Sequence, residues 1–299
     1  MSAEESSEPR VAGATRRERI PLGIVYMIAA TILFAGNSAI SKWLVDKYPI
    51  GEVIFTRSLV SLIVCSIFIL PQTGLAVFRT DRLGDHIKRG ISQSASQTCI
   101  VIAFLYMPLA GAVAITFSAP LFATLLSVIF LREPVGFARG AALVVGFLGV
   151  VLVTNPGADT LQIGALFALG NAVLYATVTV AVRGMTSTES TQTLTMYQMV
   201  LLTAFLALLL PFGVVIPTWQ DGWIMVFAGL INALGQYWWT RSLHLAPASA
   251  VTPFYYLSLV WAVIFGFLIW GDVPTIGLVI GSSIVVASGL FLLWRESRR

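Results

Sequence analysis

The chain has 299 residues, 57% of them hydrophobic and only 11% charged, with a net charge of +4. At a mean hydropathy of +0.87 it is far more apolar than a soluble domain, in which about a quarter of the residues are charged. The composition excludes a soluble protein and indicates an integral membrane protein, and the scatter of basic residues over loops and termini excludes a nucleic-acid binder, which would gather them into one stripe.

Residues 1–20, rich in Ser, Glu and Arg, read as a short solvated tail. The first apolar run, Pro21 to Leu44, has the length of a full span rather than of a signal core, so it is expected to stay in the mature protein. Breaking the sequence at Pro, Gly and charge clusters predicts ten transmembrane helices. They cover 21–44, 50–70, 86–107, 109–131, 137–154, 161–182, 192–211, 220–243, 248–270 and 275–294, with 295–299 as a second tail. Cys65 and Cys99 fall inside apolar runs and read as packing residues rather than ligands or a bridge.

Lys and Arg set the expected orientation. With the N-terminus in the cytoplasm, fifteen of the eighteen basic residues fall on that side, Lys42 and Lys47 on the other, and Arg57 inside a span. Cytoplasmic loops retain Lys and Arg, so both termini are expected to be cytoplasmic.

The chain also repeats itself. Gly23 to Leu44 aligns without a gap on Gly164 to Met185, pairing Tyr26 with Phe167, Leu33 with Leu174, Phe34 with Tyr175, Ala35 with Ala176 and Lys42 with Arg183. The same offset carries Arg57 onto Gln198. A unit of five spans duplicated in this way enters the membrane from opposite faces, so 21–154 and 161–294 are expected to form two inverted five-helix repeats around a central cavity. Ala110-Gly111-Ala112-Val113 also resembles Ala248-Ser249-Ala250-Val251, at a slightly shifted offset.

Polar side chains at membrane depth are costly and mark a candidate path. Gln93, Ser96 and Gln97 fall on one face of the third span, and Asn232, Gln236 and Trp239 repeat the design in the eighth. The first span adds Asn37, Ser38 and Ser41, and the sixth adds Asn171, Tyr175 and Thr179. For any one of these residues, interhelical hydrogen bonding is the competing role. Pro120 in the fourth span and Pro253 in the ninth, beside Thr116 and Tyr256, are candidate hinges where a helix bends and frees a carbonyl. Tyr237, Trp238, Trp239, Tyr255, Tyr256 and Trp261 offer flat faces with polar tips for an aromatic or amphipathic solute. Trp43, Trp223, Trp270 and Trp294, near span ends, read as interfacial anchors.

Arg57 lies about 10 Å into the second span at 1.5 Å per residue, where a cation needs a partner. Glu52 is at a poor spacing on the same helix. A carbonyl, the cavity, an anionic substrate group, or snorkelling to the surface are the open alternatives. Lys42 leans towards the interface. His86 and His244, at span ends, read as solvated or capping groups, and Glu52, Glu133 and Asp272 also fall near span ends. The absence of a mid-membrane carboxylate favours facilitated movement or exchange over proton coupling. Glycines in the fifth and tenth spans, Gly140, Gly146, Gly149, Gly277, Gly281 and Gly289, permit close helix approach within one chain or between two, so monomer and homodimer both stay open.

Ten spans in two inverted halves, Asn37 and Lys42 late in the first span, Arg57 in the second, and the Pro120 to Glu133 spacing closing the fourth together resemble the drug/metabolite transporter superfamily, in its EamA-type branch. The resemblance covers residues 20 to 294. Asp272 departs from it where a Glu is more usual, and Gln198 replaces the Arg of the first half. The aromatic-rich second half is most similar to bacterial exporters of amino acids. The resemblance therefore implies an exporter of small amphipathic metabolites, amino acids including aromatic ones, working by alternating access, with a proton-coupled antiporter for another solute class as the alternative. An intramembrane enzyme is the remote one: the sequence has no HExxH, GxSxG or P-loop pattern and too few His and acidic residues for a metal centre. No catalytic residue, metal or cofactor is expected.

Overall fold

A computed structural model describes residues 19–131, 137–154, 159–185, 188–246 and 248–296, with side chains except at 127–131, 138–139, 159–162, 183, 244, 248–249, 252, 293 and 296. Arg132, Glu133, most of the N-terminal tail and the side chains of Arg183 and His244 therefore lie outside the described residues. Among those described there is no strand.

The helices are α1 (Ile20–Val45), α2 (Ile50–Thr73), α3 (Leu83–Tyr106), α4 (Leu109–Thr116), α5 (Ala119–Leu131) and α6 (Phe137–Thr154). After them come α7 (Asp159–Met185), α8 (Thr191–Ala207), α9 (Trp219–Leu245), α10 (Ala248–Tyr255), α11 (Leu257–Trp270) and α12 (Ile276–Glu296). Pro49 and Pro108, with φ near −56°, immediately precede α2 and α4, and the side chains of Ser190 and Thr218 cap α8 and α9 by accepting from Thr193 and Asp221 N–H.

Eight expected spans each coincide with one helix, but 109–131 and 248–270 are each split in two. The first split falls at Phe117 and Ser118, where Ser118 N–H turns to the Ile115 carbonyl at 2.9 Å. Pro120, two residues on, has no N–H for the Thr116 carbonyl, so the regular ladder cannot cross the break. The second split is at Tyr256, whose N–H bonds the Pro253 carbonyl at 3.3 Å. Pro253 itself is exposed, inside α10, and the chain turns three residues after it.

Among the described residues, six helices or helix pairs are long and apolar enough to cross a membrane by length and composition: 20–45, 50–78, 109–126, 163–182, 191–212 and 253–270. α3 and α9 fall short because polar and charged residues interrupt them: Asp85, Lys88, Arg89, Gln93 and Gln97 in one, Asp221, Asn232, Gln236 and Arg241 in the other. These two helices make the most extensive pairings of the molecule, α3 with α7 and α1 with α9. The polar helices thus lie against apolar ones, while the exposed apolar side chains Val144, Val151, Phe267, Leu268 and Val279 mark faces suited to lipid.

The glycines of α6 and α12 serve packing within the chain. A Cβ at Gly281 would sit 2.6 Å from the Gly149 carbonyl oxygen, and one at Gly146 2.5 Å from Leu121. Only a bare backbone permits so close a crossing of α6 and α12.

Candidate functional site

The two helix breaks meet. The Phe117 ring lies 4.9 Å from that of Tyr256 and 5.8 Å from that of Tyr255, and Tyr255 also meets Phe34 of α1 edge-on at 6.4 Å. Three helices therefore bring their aromatic residues to one place. Tyr256 is buried, and its hydroxyl points at Gly289, where a Cβ would come within 2.5 Å of it. This ring is packed between α4 and α12.

Arg57 is 7% exposed, too enclosed for a side chain that snorkels to the surface. Its Nη1 donates to Ser41 Oγ at 3.1 Å and its Nη2 to Gln97 Oε1 at 3.0 Å. Ser41 in turn donates to the Asn37 carbonyl at 2.8 Å. The structure thus gathers four predicted residues, Asn37, Ser41, Arg57 and Gln97, from α1, α2 and α3. Asn37 Oδ1 is buried there without a hydrogen-bond partner, a rare state for a polar atom. Glu52 is engaged elsewhere, accepting from Val215 N–H at 2.9 Å.

Asn171 and Asn232 are placed differently. Both Nδ2 protons of Asn171 go to Ser96, to its carbonyl at 2.9 Å and its Oγ at 2.8 Å, while Oδ1 accepts from Thr116 at 3.1 Å. This side chain ties α7 to α3 and α4. Asn232 donates to Ser61 Oγ at 3.1 Å and ties α9 to α2. Trp239 packs with Met27, Ala246 and Val251 between α1, α9 and α10. Trp261 donates to Thr31 at 3.2 Å, and Tyr237 is 60% exposed, so neither joins the aromatic group. Gln93, buried, and Gln236, half-buried, make no hydrogen bond to a described residue.

Lys42 is not an interfacial group. It is buried, and its ammonium donates to the carbonyls of Phe104 at 2.5 Å and Met107 at 3.0 Å, capping the end of α3 where exposed carbonyls and the helix dipole favour a cation. His86 is not solvated either. It is 1% exposed, stacks on Tyr197 at 4.3 Å, and sets Nε2 3.9 Å from Glu189.

Arg89 is the residue that sequence reasoning counted only as a loop charge. It is 5% exposed, and its Nη2 donates to the Leu194 carbonyl at 3.2 Å and to Gln198 Oε1 at 2.5 Å. Its Nε and Nη1 are buried without partners. The signal available was its spacing, four residues before Gln93 and eight before Gln97, which puts all three on one helical face. Tyr175 is 41% exposed and belongs to α7, the helix that packs most extensively against α3. By contrast, the groove between α6 and α12, lined by Phe137, Val145 and Phe291 among others, offers one hydroxyl, Ser288, and little to orient a metabolite. No group of three or more metal-ligating side chains occurs among the described residues.

The EamA-like transporter family model matches the chain twice, over residues 21–155 and 162–294. The riboflavin transporter of Rhizobium johnstonii is 29% identical over 289 residues, covering 96% of this chain and 95% of that one. The S-adenosylmethionine uptake transporter of Rickettsia conorii is 26% identical, covering 92% and 94%, and the pseudopaline exporter of Pseudomonas aeruginosa is 25% identical, covering 90% and 95%. A solved crystal structure superposes with a TM-score of 0.61 at 20% identity, over 95% of this chain and 100% of its own, a likeness of fold. None of these names gives a free amino acid as the substrate, so the expected substrate gains no support from them. With both matched segments together spanning nearly the whole sequence, the chain belongs to the EamA-like transporter family of the drug/metabolite transporter superfamily and is a membrane transporter.

Proposed function

We propose that this chain carries a small amphipathic metabolite with a flat aromatic part across the bacterial inner membrane, by alternating access around one site between two inverted halves. Aromatic amino acids and riboflavin both belong to that class. The observation that carries the reading is the junction of the two broken helices: Phe117 and Tyr256 touch there, beside Tyr255 and Phe34, and broken helices in transporters line substrate sites near the middle of the membrane. The pairing of α3 with α7 has its counterpart in that of α1 with α9, which supports a doubled architecture. Arg57, Gln97, Asn37 and Ser41 supply the few polar groups that orient a solute, and Tyr175 and Tyr255 supply its stacking faces.

Of the residues first assigned to substrate, Asn171, Asn232, Trp239 and Tyr256 are read as structural, because packing or hydrogen bonds between helices already account for them. Gln93 and Gln236 remain in the site as amides with no hydrogen bond to a described residue. Relatives named for uptake and for export both exist, so direction follows the prevailing gradient in this reading. Liposomes holding only the purified chain should take up riboflavin or an aromatic amino acid saturably. Uptake no faster than in protein-free liposomes across both classes would refute it.

A further inference from the structure

Two guanidinium groups lie along one polar face of α3, each buried and each without a carboxylate. Arg89, Gln93 and Gln97 recur every four residues, so they stack on the same side of the helix, and the rise of 1.5 Å per residue separates the first from the last by about 12 Å. Arg57 joins the far end of this stripe through Gln97 at 3.0 Å, and Gln198 fixes Arg89 at the near end. Gln93, 3% exposed, stands between them with no hydrogen bond to a described residue.

Among the described residues, all hydrogen-bond partners of both guanidiniums are neutral: Ser41, Gln97, Gln198 and the Leu194 carbonyl. Among the described residues, no carboxylate comes within 4.0 Å of either. Acids on the same or neighbouring helices are engaged elsewhere, Glu52 by Val215 N–H, Asp85 by Arg82, and Glu189 by Thr80 and His86. Neutral hydrogen bonds offset only part of the cost of taking a cation out of water. Donors also remain. A guanidinium has five N–H groups, of which Arg57 uses two, and Arg89 leaves Nε and Nη1 unpaired. A carboxylate or phosphate meets both needs, because it accepts charge-assisted hydrogen bonds and cancels the charge. Tyr175, partly exposed on α7, the helix packed most extensively against α3, offers a ring for an aromatic body attached to such a group.

We propose that the transported metabolite carries an oxyanion, a carboxylate or a phosphate, which Arg57 and Arg89 bind in turn at the two ends of the α3 stripe, with Gln93 between them. This rests on reading the chain as a carrier with a central aromatic site. The test uses matched probes in liposomes containing the purified chain: flavin mononucleotide against riboflavin for phosphate, and N-acetyl-L-tryptophan against its amide for carboxylate. The expected result is at least tenfold faster protein-dependent uptake of the anionic member in one pair or both, with the pair identifying the anion. Arg57→Gln and Arg89→Gln should each bring that ratio towards one. Equal or faster uptake of the neutral members by the unaltered chain overturns the proposal and leaves the carrier reading intact, and this comparison needs no variant to fold. Uptake of none of the four overturns both.

Discussion

Replacing Asn171 by Ala separates a residue that holds helices together from one that holds a solute. Asn171 is 5% exposed and makes three side-chain hydrogen bonds, two to Ser96 and one from Thr116. The substitution strands neither hydroxyl. Ser96 Oγ also donates to the backbone carbonyl of residue 171 at 3.3 Å, and the single Thr116 hydroxyl proton can turn instead to the Ala112 carbonyl at 3.0 Å. The loss is therefore that of three interhelical bonds, which in membrane proteins average about 0.6 kcal/mol each, giving about 2 kcal/mol in all. The small cavity left behind adds to it. Thermal unfolding of the purified protein in detergent should show a clearly lower melting temperature, while transport per folded molecule in liposomes stays within twofold of the unaltered chain. An unchanged melting temperature together with lost transport would refute this assignment and return Asn171 to the substrate site.

Gly281→Ala places a methyl group 2.6 Å from the Gly149 carbonyl oxygen and 2.8 Å from Val153 N, neither of which can yield as a side chain would, so it should destabilise by about 1–3 kcal/mol in the same unfolding assay; unaltered stability would show that α6 and α12 are not so closely crossed. Lys42→Met removes the charge-assisted bonds to the Phe104 and Met107 carbonyls and should cost about 2 kcal/mol, with the amide hydrogens of the last turn of α3 exchanging faster. Gln236→Ala should slow transport without a change in melting temperature, whereas Trp239→Ala should lower the melting temperature by emptying the cluster around Met27 and Val251. The opposite pattern in that pair would exchange their roles.

The helices were legible because a span announces itself through the length of an apolar run, and the boundaries at Pro49 and Pro108 because proline restricts the residues around it. The breaks at Phe117–Ser118 and Tyr256 were not. Neither carries a glycine, and Pro253 lies a turn away from the bend it was expected to make. Arg57 was recognisable as a cation needing a partner, but its bonds to Ser41 and Gln97 depend on how three helices pack, which no spacing along one helix encodes. Arg89 was hidden for another reason. A cation near the start of a span already satisfies the positive-inside pattern, so its charge alone does not mark it as part of the Gln93–Gln97 face. Lys42 was hidden differently, since the end of α3 that it caps is 62 residues away along the chain. The amide pairs Asn171 and Asn232 looked identical in sequence to site residues, and only their partners on α2, α3 and α4 set them apart.

The central claim is that one site between the two halves is exposed to each side in turn, and counterflow measures this most directly. Liposomes containing the purified chain are loaded with unlabelled solute, diluted into a trace of the same labelled solute, and sampled over time, first with riboflavin and flavin mononucleotide and then with N-acetyl-L-tryptophan. A carrier that returns faster when loaded predicts a transient accumulation of label above its equilibrium level, lost on Arg57→Gln for the anionic solutes. Label that rises monotonically to equilibrium, at the same rate with and without internal solute, would contradict the account.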